Sequence, residues 1–201
     1  MLKGLGSAVH LAHLLLSEAL GPGGTAIDAT AGNGCDTLFL ARQVGPQGKV
    51  YAIDIQAGAL AKTSLLLQKA GVLDRVILLH SSHEEMEQLV TAPVDAVIFN
   101  LGYLPGGDHN LVTTSETTAR ALRAALKMLK PEGRIGLVIY TGHPGGQEEL
   151  AVVEGVASSL DVSLYRVVRL NFINRSAQAP VVIVIEKAGV GDENQPAAQN
   201  P

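Results

Sequence analysis

An α/β fold with a mostly parallel sheet, helices on both of its faces, follows from three features of the 201-residue sequence. Near-continuous apolar runs rich in Val and Ile recur along the chain, as expected of strands buried on both faces. Stretches with helical spacing lie between them, which implies right-handed βαβ crossovers. Past residue 160 the alternation stops, and two strand-like runs follow each other with only "INRSAQ" between them. That link is too short for a crossover helix, so the last pair should be an antiparallel hairpin.

The elements can be justified in order. "MLKGLGSAVHLAHLLLSEALGPGG" has an apolar face interrupted by His10, His13, Ser17 and Glu18. It therefore falls short of the roughly 20 apolar residues of a membrane span. It also lacks the basic, apolar and cleavage regions of a signal peptide, and reads as an amphipathic helix packed on the domain. Strands are expected at "TAIDAT" (25–30), "KVYAIDI" (49–55), "RVILLH" (75–80), "VDAVIFN" (94–100) and "RIGLVIYT" (134–141). The helical stretches "DTLFLARQVG", "AGALAKTSLLLQKAG" and "SETTARALRAALKMLKPEG" end near glycine or proline, residues that stop helices. "DVSLYRVVRLNF" and "APVVIVIEK" form the hairpin. One domain over residues 1–187 is expected. The tail "AGVGDENQPAAQNP", 188–201, has lost its large apolar residues and should be disordered.

Composition narrows the function. Hydrophobic residues make up 47% and charged residues 17%, which suits a globular protein with a buried sheet. A single cysteine, Cys35, excludes an internal disulfide, and no Cys/His cluster has zinc spacing, so no metal is expected and a reducing cytoplasm is the simplest home. The net charge of −4 provides no general attraction to nucleic acid, so an RNA partner would need a local basic surface.

The segment "AIDATAGNGCDTLFLA" reads as a strand, a tight turn of small residues and a helix start. Gly32 and Gly34, flanking Asn33, let the backbone approach a ligand, and free amides at the next helix start favour a carboxylate or phosphate. Asp36 and Thr37 are expected to cap and start that helix, their amides available to a cofactor carboxylate. A dinucleotide fingerprint would want Gly or Ala where Thr37 stands. Asp54, ending the second strand before Gln56, is placed to accept both ribose hydroxyls of an adenosine, or is only a strand-end turn acid. Asp28, ending the first strand, either orients the loop or reaches the amino group of a methionine moiety. Together these features favour S-adenosylmethionine over NAD. Cys35 is more simply a small turn filler than a reactive thiol.

"DATAGNGCDTLFLA", followed by "YAIDIQ", "NLGYLPGGD" and "FINRSAQAPVVIVIEK", resembles the bacterial family labelled "putative rRNA methylases", whose characterised members are MnmM-type tRNA methyltransferases. The resemblance spans roughly residues 5–187. It implies a class I Rossmann-like fold with a seven-stranded sheet. It also implies S-adenosylmethionine as cofactor and methylation of the aminomethyl group of a 2-thiouridine at the tRNA wobble position. Thr30 stands where the broader class carries the first glycine of the loop.

Within that sheet Asn100 ends the fourth strand, on the edge where open α/β sheets bind ligands. Its carbonyl can hold an amine with the lone pair aimed at an electrophilic methyl group. Tyr103 can stack on a base, and Pro105 with Gly106 and Gly107 sets an open turn. "NLGY" is similar to the Asn-Pro-Pro-Tyr motif of amine-methylating nucleic-acid enzymes, with different second and third residues. Asp108 is a candidate to bind the amine or take its proton, or is a turn residue. Ser82 and His83, after the third strand, face an adenine or merely begin a helix. Tyr140 and His143 are candidates for the substrate pocket, or His143 only fixes its turn. Asn174 and Arg175 can reach the site or a phosphate, with Arg166 and Arg169 extending a basic surface, or these are solvated strand charges. His10 and His13, about a helical turn apart, read as packing residues rather than a metal site. A homodimer would assemble a wider RNA surface. A small-amine methyltransferase, a non-catalytic nucleotide-binding module and NAD-dependent redox chemistry remain open alternatives.

Overall fold

The computed structural model describes residues 7–102, 113–176 and 178–189. Its strands are β1 (Thr25–Asp28), β2 (Lys49–Asp54), β3 (Val76–His80), β4 (Val94–Leu101), β5 (Leu129–Ile139), β6 (Tyr165–Leu170) and β7 (Val181–Lys187). They form one seven-stranded sheet in the order β3-β2-β1-β4-β5-β7-β6. The first five strands are parallel, and β7 inserts antiparallel between β5 and β6. The predicted hairpin is thus present, with its second strand the inner one. The burial pattern agrees: β7 is buried over Val181–Ile185, whereas the edge strand β6 exposes Val167 and Val168.

Side chains alternate between the two faces of each strand. On one face Ala26, Val50, Ala96 and Ile98 pack with Leu16, Leu40 and Leu67 of helices α1 (Ala8–Ser17), α2 (Cys35–Val44) and α3 (Ala57–Lys69). On the other, Ile27, Val97, Phe99 and Ile135 meet α4 (Met86–Leu89), α5 (Ser115–Met128) and α6 (Gly146–Ser158). Phe99 is wholly buried, a burial worth about 1.5–3 kcal/mol. Helix α1 continues onto Val138, Val182 and Val184 through Ala8 and Ala12. Its C-terminal end is tied to β5 by Arg134, which donates to Leu15 O at 2.6 Å and pairs with Glu18 and Glu186.

Several boundaries differ from expectation. Helix α5 ends at Met128, and β5 begins at Leu129, not Arg134, because Leu129 is buried and pairs with Val94. The ladder then shifts register around Pro131–Gly133, where Glu132 has φ +64°. Strand β6 starts at Tyr165 because Asp161–Leu164 form a turn whose Asp161 carboxylate accepts from Ser163. Helix α6, entered through Gly145 at φ +85°, is not among the elements expected above. Of the tail expected to be disordered, Ala188 donates to Leu164 O at 2.8 Å, continuing the β6–β7 pairing, and residues 190–201 lie outside the described residues.

Candidate active site

The strand order reverses between β1 and β4, and open α/β sheets bind ligands at the carboxyl ends of the strands flanking such a switch point. A cleft of about 420 Å³ lies there, within the size range of small-molecule sites. Among its lining residues are Gly32, Asn33, Asp36, Asp54, Gln56, Ser82, His83, Asn100 and Tyr140. Residues contributed by five separate segments thus meet in one place.

The loop after β1 is built by its own hydrogen bonds. Ala29 N–H donates to Ile98 O and Ala31 N–H to Ile53 O, each at 2.9 Å, so the chain leaves the sheet pinned to both neighbours. Gly32 takes φ +52° and Gly34 φ +83°, left-handed conformations that suit glycine. A Cβ on Gly34 would stand 2.9 Å from Thr63 Oγ1 of α3. Thr63 Oγ1 in turn donates to Gly32 O at 2.9 Å. Gly34 therefore packs the loop against α3 and does not line the cleft. Thr30, in place of a glycine, accepts Asn100 N–H at 2.8 Å on its hydroxyl, a bond glycine could not supply.

Asp28 is fully buried, with Oδ1 accepting Thr30 N–H at 3.1 Å and Oδ2 accepting the Thr37 hydroxyl at 2.6 Å. Neither Asp28 nor Thr37 lines the cleft, so both act on the loop from within. Of the two roles left open for Asp28, this geometry fits orienting the loop. Burial, then the Asp36 charge, push its carboxyl up to about 7. Asp36 and Thr37 do not cap α2: Gly34 is its N-cap, without a side-chain bond. Asp36 is instead buried with Oδ1 2.7 Å from His13 Nε2 and Oδ2 accepting Asn100 Nδ2–H at 3.0 Å. The packing role expected of His13 holds, since it is buried on Phe39, but its Asp36 partner, 23 positions away on another helix, leaves no signal in the local pattern.

Asp54 accepts Gly32 N–H and Gln56 N–H, each at 2.8 Å, one on each oxygen. Two lone-pair positions remain on this half-exposed carboxylate, enough for a diol. Ser82 precedes the short 3₁₀ turn His83–Glu85. His83 is buried, edge-on to Phe99 with ring centroids 6.1 Å apart, and burial lowers its pKa, keeping the imidazole neutral. Its Nε2 is a buried polar atom with no hydrogen-bond partner among the described residues. An orphaned imidazole nitrogen and a diol-ready carboxylate, both on residues lining one cleft, fit an adenosine.

Other expected site residues lie apart. His143 does not line the cleft; its Nδ1 is 2.8 Å from Pro144 O in the turn before α6. Asn174 and Arg175 are exposed and outside the cleft, Arg175 lying over the Phe172 ring at 4.2 Å. Their loop is nevertheless on the cleft edge of the sheet, since Val181 pairs with Ile139, and Gln178 packs by Gly142 next to Tyr140. Arg166 and Arg169 pair with Glu186 and Glu154 at 3.5 and 3.0 Å, which offsets the basic surface expected of them. Tyr103, Pro105 and Asp108 lie outside the described residues. No group of three or more His, Cys, Asp or Glu suited to a metal occurs among the described residues.

This sheet order, with a glycine loop after β1, an acid ending β2 and an asparagine ending β4, defines a class I Rossmann-like methyltransferase. Two crystal structures share it closely. A "putative rRNA-methylase from Clostridium thermocellum" superposes with TM-score 0.89 at 39% identity, over 92% of this chain and all of that one. A "putative methyltransferase from streptococcus mutans in complex with SAH" gives 0.82 at 34%, over 93% and 99%. The chain belongs to the family described as "Putative rRNA methylase", whose pattern matches residues 50–186. It is also 44% identical over 196 residues to the tRNA (mnm(5)s(2)U34)-methyltransferase, chloroplastic, of Arabidopsis thaliana, covering 92% of this chain and 71% of the relative.

Proposed function

We propose that the protein uses S-adenosylmethionine to methylate the exocyclic aminomethyl nitrogen of 5-aminomethyl-2-thiouridine at the tRNA wobble position. The observation that carries the reading is Asn100. It stands at the switch point, with its backbone held by Thr30 and its side chain by Asp36, in the cleft that also holds Asp54. The Arabidopsis relative, by its name, supports the same acceptor.

When bound, the cofactor supplies an electrophilic methyl group on a sulfonium. In this reading Asp54 receives its ribose hydroxyls, with Gln56 beside it, and Ser82 and His83 contact the adenine. Gly32, which carries no Cβ, and Asn33 lie against the methionine moiety, while Asp28, Gly34 and Thr37 keep the loop in shape. The Asn100 carbonyl orients the acceptor nitrogen, the main requirement of an in-line displacement. Tyr140 lines the cleft where the base would enter; the same reading gives base binding also to Tyr103 and Pro105, and the amine to Asp108. Asn174, Arg175 and His143 lie on the edge from which a tRNA anticodon would approach. Action in the cytoplasm and assembly as a homodimer through the exposed β6 edge belong to the same reading. A small-amine methyltransferase is the second reading, favoured by the net charge and by the Glu partners of Arg166 and Arg169.

Transfer of a labelled methyl group to tRNA from cells lacking this modification, followed by nucleoside mass analysis, separates the two. Label on the aminomethyl-thiouridine, lost in Asn100→Ala and Asp54→Ala, is the expected result. Cofactor binding without label on tRNA would overturn the tRNA reading and favour the small amine.

A further inference from the structure

Helix α1 places one buried polar side chain behind the cleft wall, against Asp36. His13 is buried, stacked on Phe39 of α2 with ring centroids 3.8 Å apart and planes 3° from parallel. Its Nε2 meets Asp36 Oδ1 at 2.7 Å, and Asp36 Oδ2 takes Asn100 Nδ2–H at 3.0 Å. Histidine, carboxylate and amide thus form one continuous chain from α1 through α2 to the end of β4. His13 does not line the cleft, whereas Asp36 and Asn100 both do.

We propose that Asp36, held by His13, orients Asn100 and favours an amine, attacking as the free base, as methyl acceptor, with His13 the positioning residue. The inference deepens the proposed function and rests on it. Three observations support it. The Asp36 carboxylate makes no cap to α2, so both oxygens are committed to this chain. With Nδ2 donating to Asp36, the Asn100 carbonyl is left for an acceptor N–H; the reverse orientation would set amide oxygen against carboxylate oxygen. Among the described residues lining the cleft, Asp36 and Asp54 are acidic and none is Lys or Arg. With Asp54 occupied by ribose, Asp36 is the anion beside the reacting end. Tyr140 feels it there: burial first, then the Asp36 charge, raise its phenol pKa. The acceptor must attack as the free amine, its ammonium proton first lost to water. Its lone pair then bonds the methyl carbon as the carbon–sulfur bond breaks to leave a thioether, and the positive charge that develops on nitrogen is favoured by the neighbouring carboxylate.

The test uses the full-length protein with undermodified tRNA, comparing His13→Ala, His13→Gln and Asp36→Asn with wild type. Rate constants for methyl transfer, S-adenosylmethionine affinity by calorimetry and thermal midpoints are read together. His13→Ala is expected to lower kcat roughly 10- to 100-fold, as for a displaced acceptor-orienting group, with cofactor Kd within about twofold. His13→Gln, whose amide N–H reaches the Nε2 position, restores most of that loss. Asp36→Asn loses kcat at least as far as His13→Ala. Should His13→Ala melt early, judgement passes to the other two variants. Wild-type kcat in His13→Ala overturns the inference, as does a Gln variant no better than Ala at equal thermal midpoint. Loss of cofactor binding in Asp36→Asn parallel to its loss of rate also overturns it, assigning Asp36 to the cofactor. Those results leave the tRNA reading intact, whereas a wild type that binds cofactor and labels no tRNA removes both.

Discussion

Two polar residues at and just past the end of β1, the buried Asp28 and the half-buried Thr30, show how single side chains set conditions for the site. Asp28 has a folded-state pKa of about 7 against an ordinary 3.8. A raised acid favours the fold fully below about pH 4, and that contribution is lost as pH rises to about 7, because only the unfolded state ionises easily in between. His83 acts with the opposite sign, its lowered pKa costing stability as pH falls below its ordinary 6.5, but it is common to wild type and variant and cancels between them. The thermal midpoint of Asp28→Asn minus that of wild type should therefore rise from pH 4 to pH 7 and level off above; a constant difference would refute it. Thr30→Val is nearly isosteric and removes the acceptor of Asn100 N–H. It should cost about 1–3 kcal/mol in urea unfolding and slow methyl transfer, since Asn100 loses one of its anchors.

At the scale of elements, the site depends on three helices holding one loop. Gly34 must take φ +83° while its Cβ direction points at Thr63 of α3. Gly34→Ala is expected to destabilise by about 1–3 kcal/mol and to weaken cofactor binding, because Thr63 would be pushed off Gly32 O. Thermal melting with and without S-adenosylmethionine checks both parts; a variant as stable as wild type would show that α3 yields freely. Strands β1 to β5 were legible because burial on both faces writes them as apolar runs. The start of β5 was less so: Pro131 and Gly133 look like helix terminators, yet the buried Leu129 already pairs with Val94 across the register shift. The loop glycines, Asp54 and Asn100 were legible for the same local reason, each marking the end of a strand. His13 was not, since an apolar helical stripe does not reveal which distant side chain its one polar member will meet.

For the whole molecule, charge decides how RNA could be held. With a net −4 and Arg166 and Arg169 paired to glutamates, the phosphate contacts available to a tRNA are few. Arg175, exposed over Phe172 on the cleft edge of the sheet, is one described basic residue placed to make such a contact. Arg175→Ala should reduce the slope of log affinity against log salt by about 1, with little change in cofactor affinity. Binding of tRNA measured across several salt concentrations tests this; an unchanged slope would take Arg175 off the RNA surface.

By itself the sequence determined the fold class, and it placed the glycine turn, Asp54 and Asn100 at the strand ends where the candidate site lies, because buried strands and tight glycine turns leave their signatures in neighbouring residues. Only the tertiary structure decided how those parts are wired. It set β7 inside β6, turned Asp28 and Thr37 inward as loop supports, and joined His13 to Asn100 through Asp36. Such contacts join residues far apart in the chain, and packing selects them from many partners that local pattern leaves equally open.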